Sequence, residues 1–239
     1  RIITLRDEKL LEDRDWMHFL GTAQLDWSCY LTSIQRQVRK TVNENFTASF
    51  DCASPFIATA HGLVYTNAQH TNKRWSVIMD KAPDNKSISQ RFDIPFPFES
   101  EIGRRMTQGD VCWYKPGMLN KIGKEGKTSW DSFSYALMMA HNTYCHIVAV
   151  QRANNLTDIE TARFKPDWRE WRKIKDSDMS DEFSDWVPRN VLYFDRFVEE
   201  LFASEKPFEM IEQAKPMLNN MMGMRLKGGV ANNTFNNLF

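Results

Sequence analysis

Asp51 is the residue whose type and position most clearly suggest chemistry. Residues 45–50, just before it, are rich in β-branched and aromatic side chains and predict a short strand. Asp51 falls where that strand ends, and Pro55 is expected to prevent a helix from starting at once. A carboxylate at the end of a buried strand costs free energy unless it is paired or used, and in parallel α/β barrels the catalytic groups lie at this end. We therefore expect Asp51 either to act in catalysis or to cap the following turn.

Two further groups of residues could bind ligands. His141 and Cys145 lie four residues apart and would share one face of a helix, so that with Cys112 they could give three zinc ligands. The alternative is a helix in which these side chains are packed in the core. A loop over residues 115–127 carries glycines and lysines and predicts either a phosphate contact or a solvated turn. Its lysines are Lys115, Lys121, Lys124 and Lys127.

The segments around Asp51 predict a βαβ unit. Residues 16–20 are a short apolar run that ends at Gly21 and is typical of a buried strand. Residues 22–42 carry apolar side chains at the spacing of an amphipathic helix, with Thr22 as a candidate N-cap. A strand, a helix and a strand in this order imply parallel strands with a right-handed crossover.

The remainder of the chain predicts an irregular region followed by helices. Within residues 67–127, prolines and polar residues predict an excursion from the barrel, with short strands at 75–79 and 111–114. Helices are predicted over 132–153, 191–204 and 208–222, the last broken at Pro216. The expected parts are 1–66, a βαβ part carrying Asp51; 67–128, an irregular insertion; and 129–239, a helical part that packs on the barrel.

Composition indicates a globular protein of 239 residues with 42% hydrophobic side chains. Its 31 basic and 31 acidic residues balance, which neither supports nor excludes a nucleic-acid partner, because a basic groove can be local. Four cysteines without a C-x-x-C pair predict a reduced, cytoplasmic protein, and no apolar run is long enough for a membrane span. Because the sequence begins with Arg1 rather than Met, we expect a processed or partial chain.

The stretch from residue 50 to residue 66 resembles the nucleophile segment of the queuine-type tRNA-guanine transglycosylases. The family pattern is Phe-Asp-Cys-x-x-Pro followed, after a gap, by Gly-x-x-(Phe/Tyr)-Thr. In that family the preceding strand ends in Leu-Met-Gly, a place that Leu20-Gly21 occupies here. His141-Asn142 resembles the family's zinc-binding His-Asn pair, although the family's C-x-C-x-x-C motif is absent. The residues that fall into the nucleophile pattern are Phe50, Asp51, Cys52, Pro55, Gly62, Tyr65 and Thr66.

The resemblance implies an α/β, TIM-barrel-like fold. This chain would hold only the late strands, and the first half would be missing or supplied by another chain or a homo-oligomer. Asp51 would be the nucleophile that forms a glycosyl-enzyme ester. Leu20 would pack against the bound base, or else belong to the barrel core, while Gly21 would let the backbone approach the base. The other residues implied to line the substrate site are Phe50, Cys52, Pro55 and Gly62.

The residues after Pro55 favour DNA over tRNA as the substrate. The family has Thr-Arg-Asn here, which helps grip the tRNA anticodon loop, whereas this sequence has residues 56–58 as Phe-Ile-Ala. The sequence is thus more similar to the phage and bacterial branch that inserts 7-deazaguanines into DNA. We expect guanine in DNA to be exchanged for a 7-deazaguanine base, in the host cytoplasm if the protein is phage-encoded. The alternatives are exchange in tRNA, a non-catalytic nucleic-acid-binding or scaffolding remnant of the fold, and a glycosidase that releases base to water.

Overall fold

The computed structural model describes residues 1–21, 24–82, 87–88, 91–112, 132–172 and 185–232. These residues form a mixed α/β protein with seven helices and four strands. Two short 3-10 segments, Gly103–Arg105 and Trp168–Glu170, lie in the connections. In chain order the helices and strands are α1 (Ile2–Asp7), β1 (Trp16–Phe19), α2 (Leu25–Thr41), β2 (Thr47–Phe50), α3 (Ser54–Ala60), β3 (Leu63–His70), β4 (Trp75–Lys81), α4 (Gln108–Val111), α5 (Ser132–Arg163), α6 (Arg189–Ala203) and α7 (Pro207–Asn232).

The chain divides into two compact units, each assembled from separate segments. The unit that we call the Asp51 unit contains His18–Cys29 and Ser49–Leu156. The terminal unit contains Arg1–Met17, Tyr30–Ala48 and the chain from Thr157 onward. This organisation differs from the sequential three-part division expected from the sequence, because segments far apart along the chain pack together in each unit.

The predicted βαβ unit is present, but the prediction that its first strand is buried is wrong, since β1 alternates exposed and half-buried side chains and Trp16 is 64% exposed. β1 and β2 are neighbours in a two-stranded sheet, and α2 connects them. Asp15 pairs with Thr47 through the backbone, and further along His18 contacts Ser49 and Gly21 contacts Asp51. These contacts advance in the same direction along both segments, as they do in a parallel pair.

The Asp51 unit is built around an antiparallel hairpin and the first part of α5. β3 pairs with β4 along its length, with an irregularity between Tyr65 and Asn67. A hydrophobic cluster joins this hairpin to the segment before α4 and to α5. Its buried members are Val64, Ala82, Phe96, Met106, Val111 and Met138.

The terminal unit is mainly helical, and amphipathic spacing explains its helices. α6 buries Val191, Val198 and Phe202 on the face that packs inward. Trp168 stacks edge-on against Phe197, with ring centroids 5.2 Å apart. Its indole N–H donates to Glu200, which satisfies the one polar atom of a buried ring.

Several predicted boundaries change for identifiable physical reasons. The prediction that Pro55 delays a helix is wrong, because Pro55 lies in the first turn of α3, where its missing N–H costs no hydrogen bond. The predicted break at Pro216 is also wrong, because α7 continues through it and packs a continuous inward face. That face consists of Met210, Ala214, Met217 and Met221.

The strands do not form the expected barrel in the part of the chain that is described. The four strands there belong to two separate two-stranded sheets. A strand is predicted at residues 111–114, but Val111 is the last residue of α4. Thr107 and Asp110 form a capping box that starts this helix. Among the described helices, none has the length and apolar character that a membrane crossing requires.

Candidate functional site

Asp51 lies directly after β2, and its carboxylate is held by the backbone at the end of β1. The N–H of Gly21 donates to Oδ1 of Asp51 over 3.0 Å. Gly21 has a φ of +72°, a left-handed conformation that glycine adopts without a steric cost, and this turn directs its N–H toward the carboxylate. The Asp51 side chain remains 60% exposed. The carboxylate is therefore fixed at one oxygen and still open to a ligand.

Within the described part of the chain, two more polar side chains, those of His18 and Ser49, lie near Asp51. Nδ1 of His18 lies 2.9 Å from the Ser49 hydroxyl. Nε2 of the same ring lies 3.7 Å from Oδ1 of Asp51. Ser49 lies on β2, and Asp51 follows two residues later, directly after the strand; the His18 imidazole contacts both side chains.

Leu20 is the most exposed large hydrophobic residue of this region, at 80%. The interpretation of Leu20 as a core residue is therefore wrong. It follows β1 directly and precedes Gly21, so an apolar side chain lies on the surface next to the turn that holds Asp51. Such a side chain can pack against the face of a planar ligand.

The thiol of Cys52 contacts a histidine, but this contact does not activate the thiol as a nucleophile. Its Sγ lies 3.6 Å from Nε2 of His146 on α5. Burial raises the pKa of the Cys52 thiol, although hydrogen bonds with Ser54 act in the opposite direction, and burial lowers the pKa of His146. Both shifts favour neutral forms over a thiolate–imidazolium pair. Of the two neighbouring residues, Asp51 is the better suited to attack an electrophile.

The other motif residues build the support behind Asp51. Pro55 is buried at the start of α3 and accepts a hydrogen bond from the Asn142 side chain through its carbonyl. Gly62, with a φ of +66°, makes the tight turn from α3 into β3. Phe50 is half-buried on β2. These residues lie behind the site. The residues that contact the Asp51 carboxylate directly are Gly21 and His18.

The His141-Asn142 pair is a buried clamp on β3. Asn142 accepts from the Tyr65 N–H over 2.8 Å, and His141 Nε2 lies 2.8 Å from the Tyr65 carbonyl. The amide of Asn142 also donates to the carbonyls of Pro55 and Leu63 and to the Thr59 hydroxyl. Both side chains are fully buried. They supply hydrogen bonds that a neighbouring strand would otherwise supply.

The three candidate zinc ligands are not brought together as a metal site. His141 Nδ1 lies 2.7 Å from the Ser100 hydroxyl, and its Nε2 is taken up by Tyr65, so both ring nitrogens are engaged. Cys145 contacts the His141 ring at 3.6 Å, and burial raises the pKa of its thiol to about 11, which disfavours the thiolate that zinc binds. No group of three or more candidate ligands exists among the residues that the structure describes. The residues present thus do not fit a zinc ion.

The predicted lysine loop lies outside the described residues. The four lysines concerned are Lys115, Lys121, Lys124 and Lys127.

The sequence motifs do not include His18, Ser49 or His146, and they include Asn142 only beside the candidate zinc ligand His141, not as a support residue. The period of two along a strand was the available signal for Ser49, since it places this residue on the side of Asp51. No local signal exists for the contacts of Asn142 and His146, because their partners lie about 80 to 95 residues away along the chain.

The fold and the site together define a class: a mixed α/β protein with an exposed carboxylate, held by backbone, at the end of a βαβ unit. No family model, curated protein or solved structure matches the chain. The similarity to the guanine transglycosylases is therefore a resemblance of motif residues in the sequence.

Proposed function

We propose that this protein is a guanine transglycosylase that exchanges guanine in DNA for a 7-deazaguanine base, with Asp51 as the nucleophile. The proposal includes a cytoplasmic location, which the four free cysteines favour. We also propose that the βαβ unit is one part of a barrel, and that another chain or a second copy of this chain supplies the rest.

The observation that carries the proposal is the hydrogen bond from the Gly21 N–H to Asp51. Gly21 and Asp51 belong to two separate motif segments, 30 residues apart. Their contact supports the interpretation that both segments serve one site. A carboxylate that merely capped its own turn would bind backbone N–H groups that follow it, not one at the end of the neighbouring strand.

The chemistry requires a carboxylate that is both held and accessible. A free Asp51 oxygen attacks C1′ of deoxyguanosine, the C1′–N9 bond breaks, and guanine leaves with the electron pair and takes a proton from water. N9 of the incoming 7-deazaguanine, having lost its proton to water, then attacks C1′, and the ester bond to Asp51 breaks. Two displacements at one carbon retain the configuration.

The surface around Asp51 supports a flat ligand. Leu20 offers an exposed apolar side chain beside the Gly21 turn, where one face of a base can be covered. A base in a duplex would have to be turned out of the stack to reach it. Phe56, at the position of the family's first tRNA-gripping residue, is also exposed. An apolar ring there lacks the hydrogen-bonding groups for an RNA loop, which favours DNA.

The test is the incorporation of radiolabelled guanine into DNA by the purified protein. We expect label in guanine-containing DNA and none in DNA that lacks guanine. Label in RNA of the same sequence but not in DNA would assign the tRNA branch. Salt-dependent DNA binding without incorporation would contradict the enzyme assignment and favour a non-catalytic binding protein.

A further inference from the structure

The Asp51 carboxylate is held through only one of its two oxygens in the described part of the chain. In the described part of the chain, both of its polar contacts go to Oδ1: the Gly21 N–H at 3.0 Å and His18 Nε2 at 3.7 Å. Oδ2 is thereby the oxygen left for a substrate. The two groups that approach Oδ1 come from β1 and the turn that follows it, so one segment orients the whole carboxylate.

We propose that His18 is a positioning residue for Asp51, with the Ser49 hydroxyl setting its tautomer. This inference rests on the proposed function for its catalytic meaning. Nδ1 of His18 contacts Ser49 at 2.9 Å. When the hydroxyl donates to Nδ1, the proton of the neutral ring is on Nε2, which faces the carboxylate. The opposite tautomer would turn a lone pair toward Oδ1 and repel it.

The distance from Nε2 to Oδ1 suits this role before substrate binds. At 3.7 Å the contact is longer than a hydrogen bond and acts as a charge–dipole attraction. Hydrogen bonds at active sites are often long in the unliganded protein and shorten when substrate binds. A shift of less than 1 Å would bring Nε2–H into bonding range of Oδ1.

Positioning fits His18 better than proton transfer to the departing base does. In a double displacement the nucleophile and the leaving group lie on opposite faces of the sugar. A ring in contact with Asp51 is on the nucleophile's side, away from N9 of the base. A neutral N–H donor is also suited to the reaction, since a full positive charge beside Asp51 would oppose the cationic character that develops at C1′.

The tautomer is measured directly by nitrogen-15 NMR of the histidine rings at mildly alkaline pH, where histidine is neutral. We expect the Nε2–H form for His18 in the wild-type protein and a shift toward the Nδ1–H form in Ser49→Ala. The His141 signals should stay unchanged and serve as the internal control. An Nδ1–H form in the wild type, or a His18 tautomer that Ser49→Ala leaves unaltered, would overturn the proposal that Ser49 sets the tautomer of His18.

Kinetics test the catalytic meaning. His18→Phe should lower kcat for base exchange about tenfold with little change in KM for DNA, the size expected for losing a hydrogen bond to a charged group. His18→Gln should restore most of the rate, because its amide N–H can reach the place of Nε2. His61→Gln is the matched control and should behave as wild type. Equal rates in His18→Phe and wild type, or no rescue by glutamine, would overturn the positioning role.

If the wild type exchanges no base, the proposed function fails, while the NMR result still decides whether His18 directs Nε2–H at Asp51.

Discussion

Replacing Asp51 with asparagine is expected to lower the rate of base exchange by roughly a thousandfold or more. The amide has nearly the same shape and keeps an oxygen for the Gly21 N–H, but it cannot form the ester with C1′. Because the side chain is 60% exposed, the free energy of unfolding should change by less than about 1 kcal/mol. Exchange of labelled guanine, measured beside urea unfolding, separates the two effects.

Asp80→Asn is the matched control for this experiment. Asp80 is an exposed carboxylate on β4 in the same unit, and its replacement removes the same charge. The control should retain the wild-type exchange rate. An Asp51→Asn protein that exchanges guanine at the wild-type rate would rule out Asp51 as the nucleophile.

Replacing Asn142 with alanine is expected to destabilise the protein by about 3 kcal/mol. The substitution removes every hydrogen bond of a fully buried amide. It leaves the buried Tyr65 N–H and the half-buried Leu63 carbonyl without this partner, and each such loss costs roughly 1 to 3 kcal/mol. Urea unfolding of the purified variant measures the difference.

Asn154→Ala tests whether this cost belongs to the clamp on β3 or to any asparagine on α5. Asn154 is half-buried, and its amide donates to Val150 of its own helix and to Ser28. Its loss should cost about 1 kcal/mol or less. Equal destabilisation by the two substitutions would contradict the assignment of Asn142 as the clamp.

The βαβ unit could be predicted because its signals are local. The apolar spacing of α2 gives a helix, and the short apolar or β-branched runs on either side give β1 and β2. The same local reasoning failed at Pro55 and Pro216. At Pro55 the position within the first helical turn matters, and at Pro216 the packing of the inward face outweighs one missing hydrogen bond.

The candidate site was predicted in part for a related reason. Asp51 and Gly21 belong to motif segments, and each sits at the end of a predicted strand. His18 acquires its place only when β1 and β2 pair in register, which joins residues about 30 positions apart. The interpretation of His141 as a zinc ligand is wrong, because Ser100 and Tyr65 bind its two ring nitrogens. The spacing between His141 and Cys145 could not predict these distant partners.

Peptide mapping of the covalent intermediate tests the central claim most directly. The protein is incubated with guanine-containing DNA, denatured, treated with nuclease and protease, and the peptides are analysed by mass spectrometry. We expect a nucleotide remnant attached through its sugar to the Asp51 carboxylate in the peptide that contains Asp51, and no such remnant in Asp51→Asn. A remnant on a different residue, or no modified peptide from a protein that exchanges guanine, would contradict this claim.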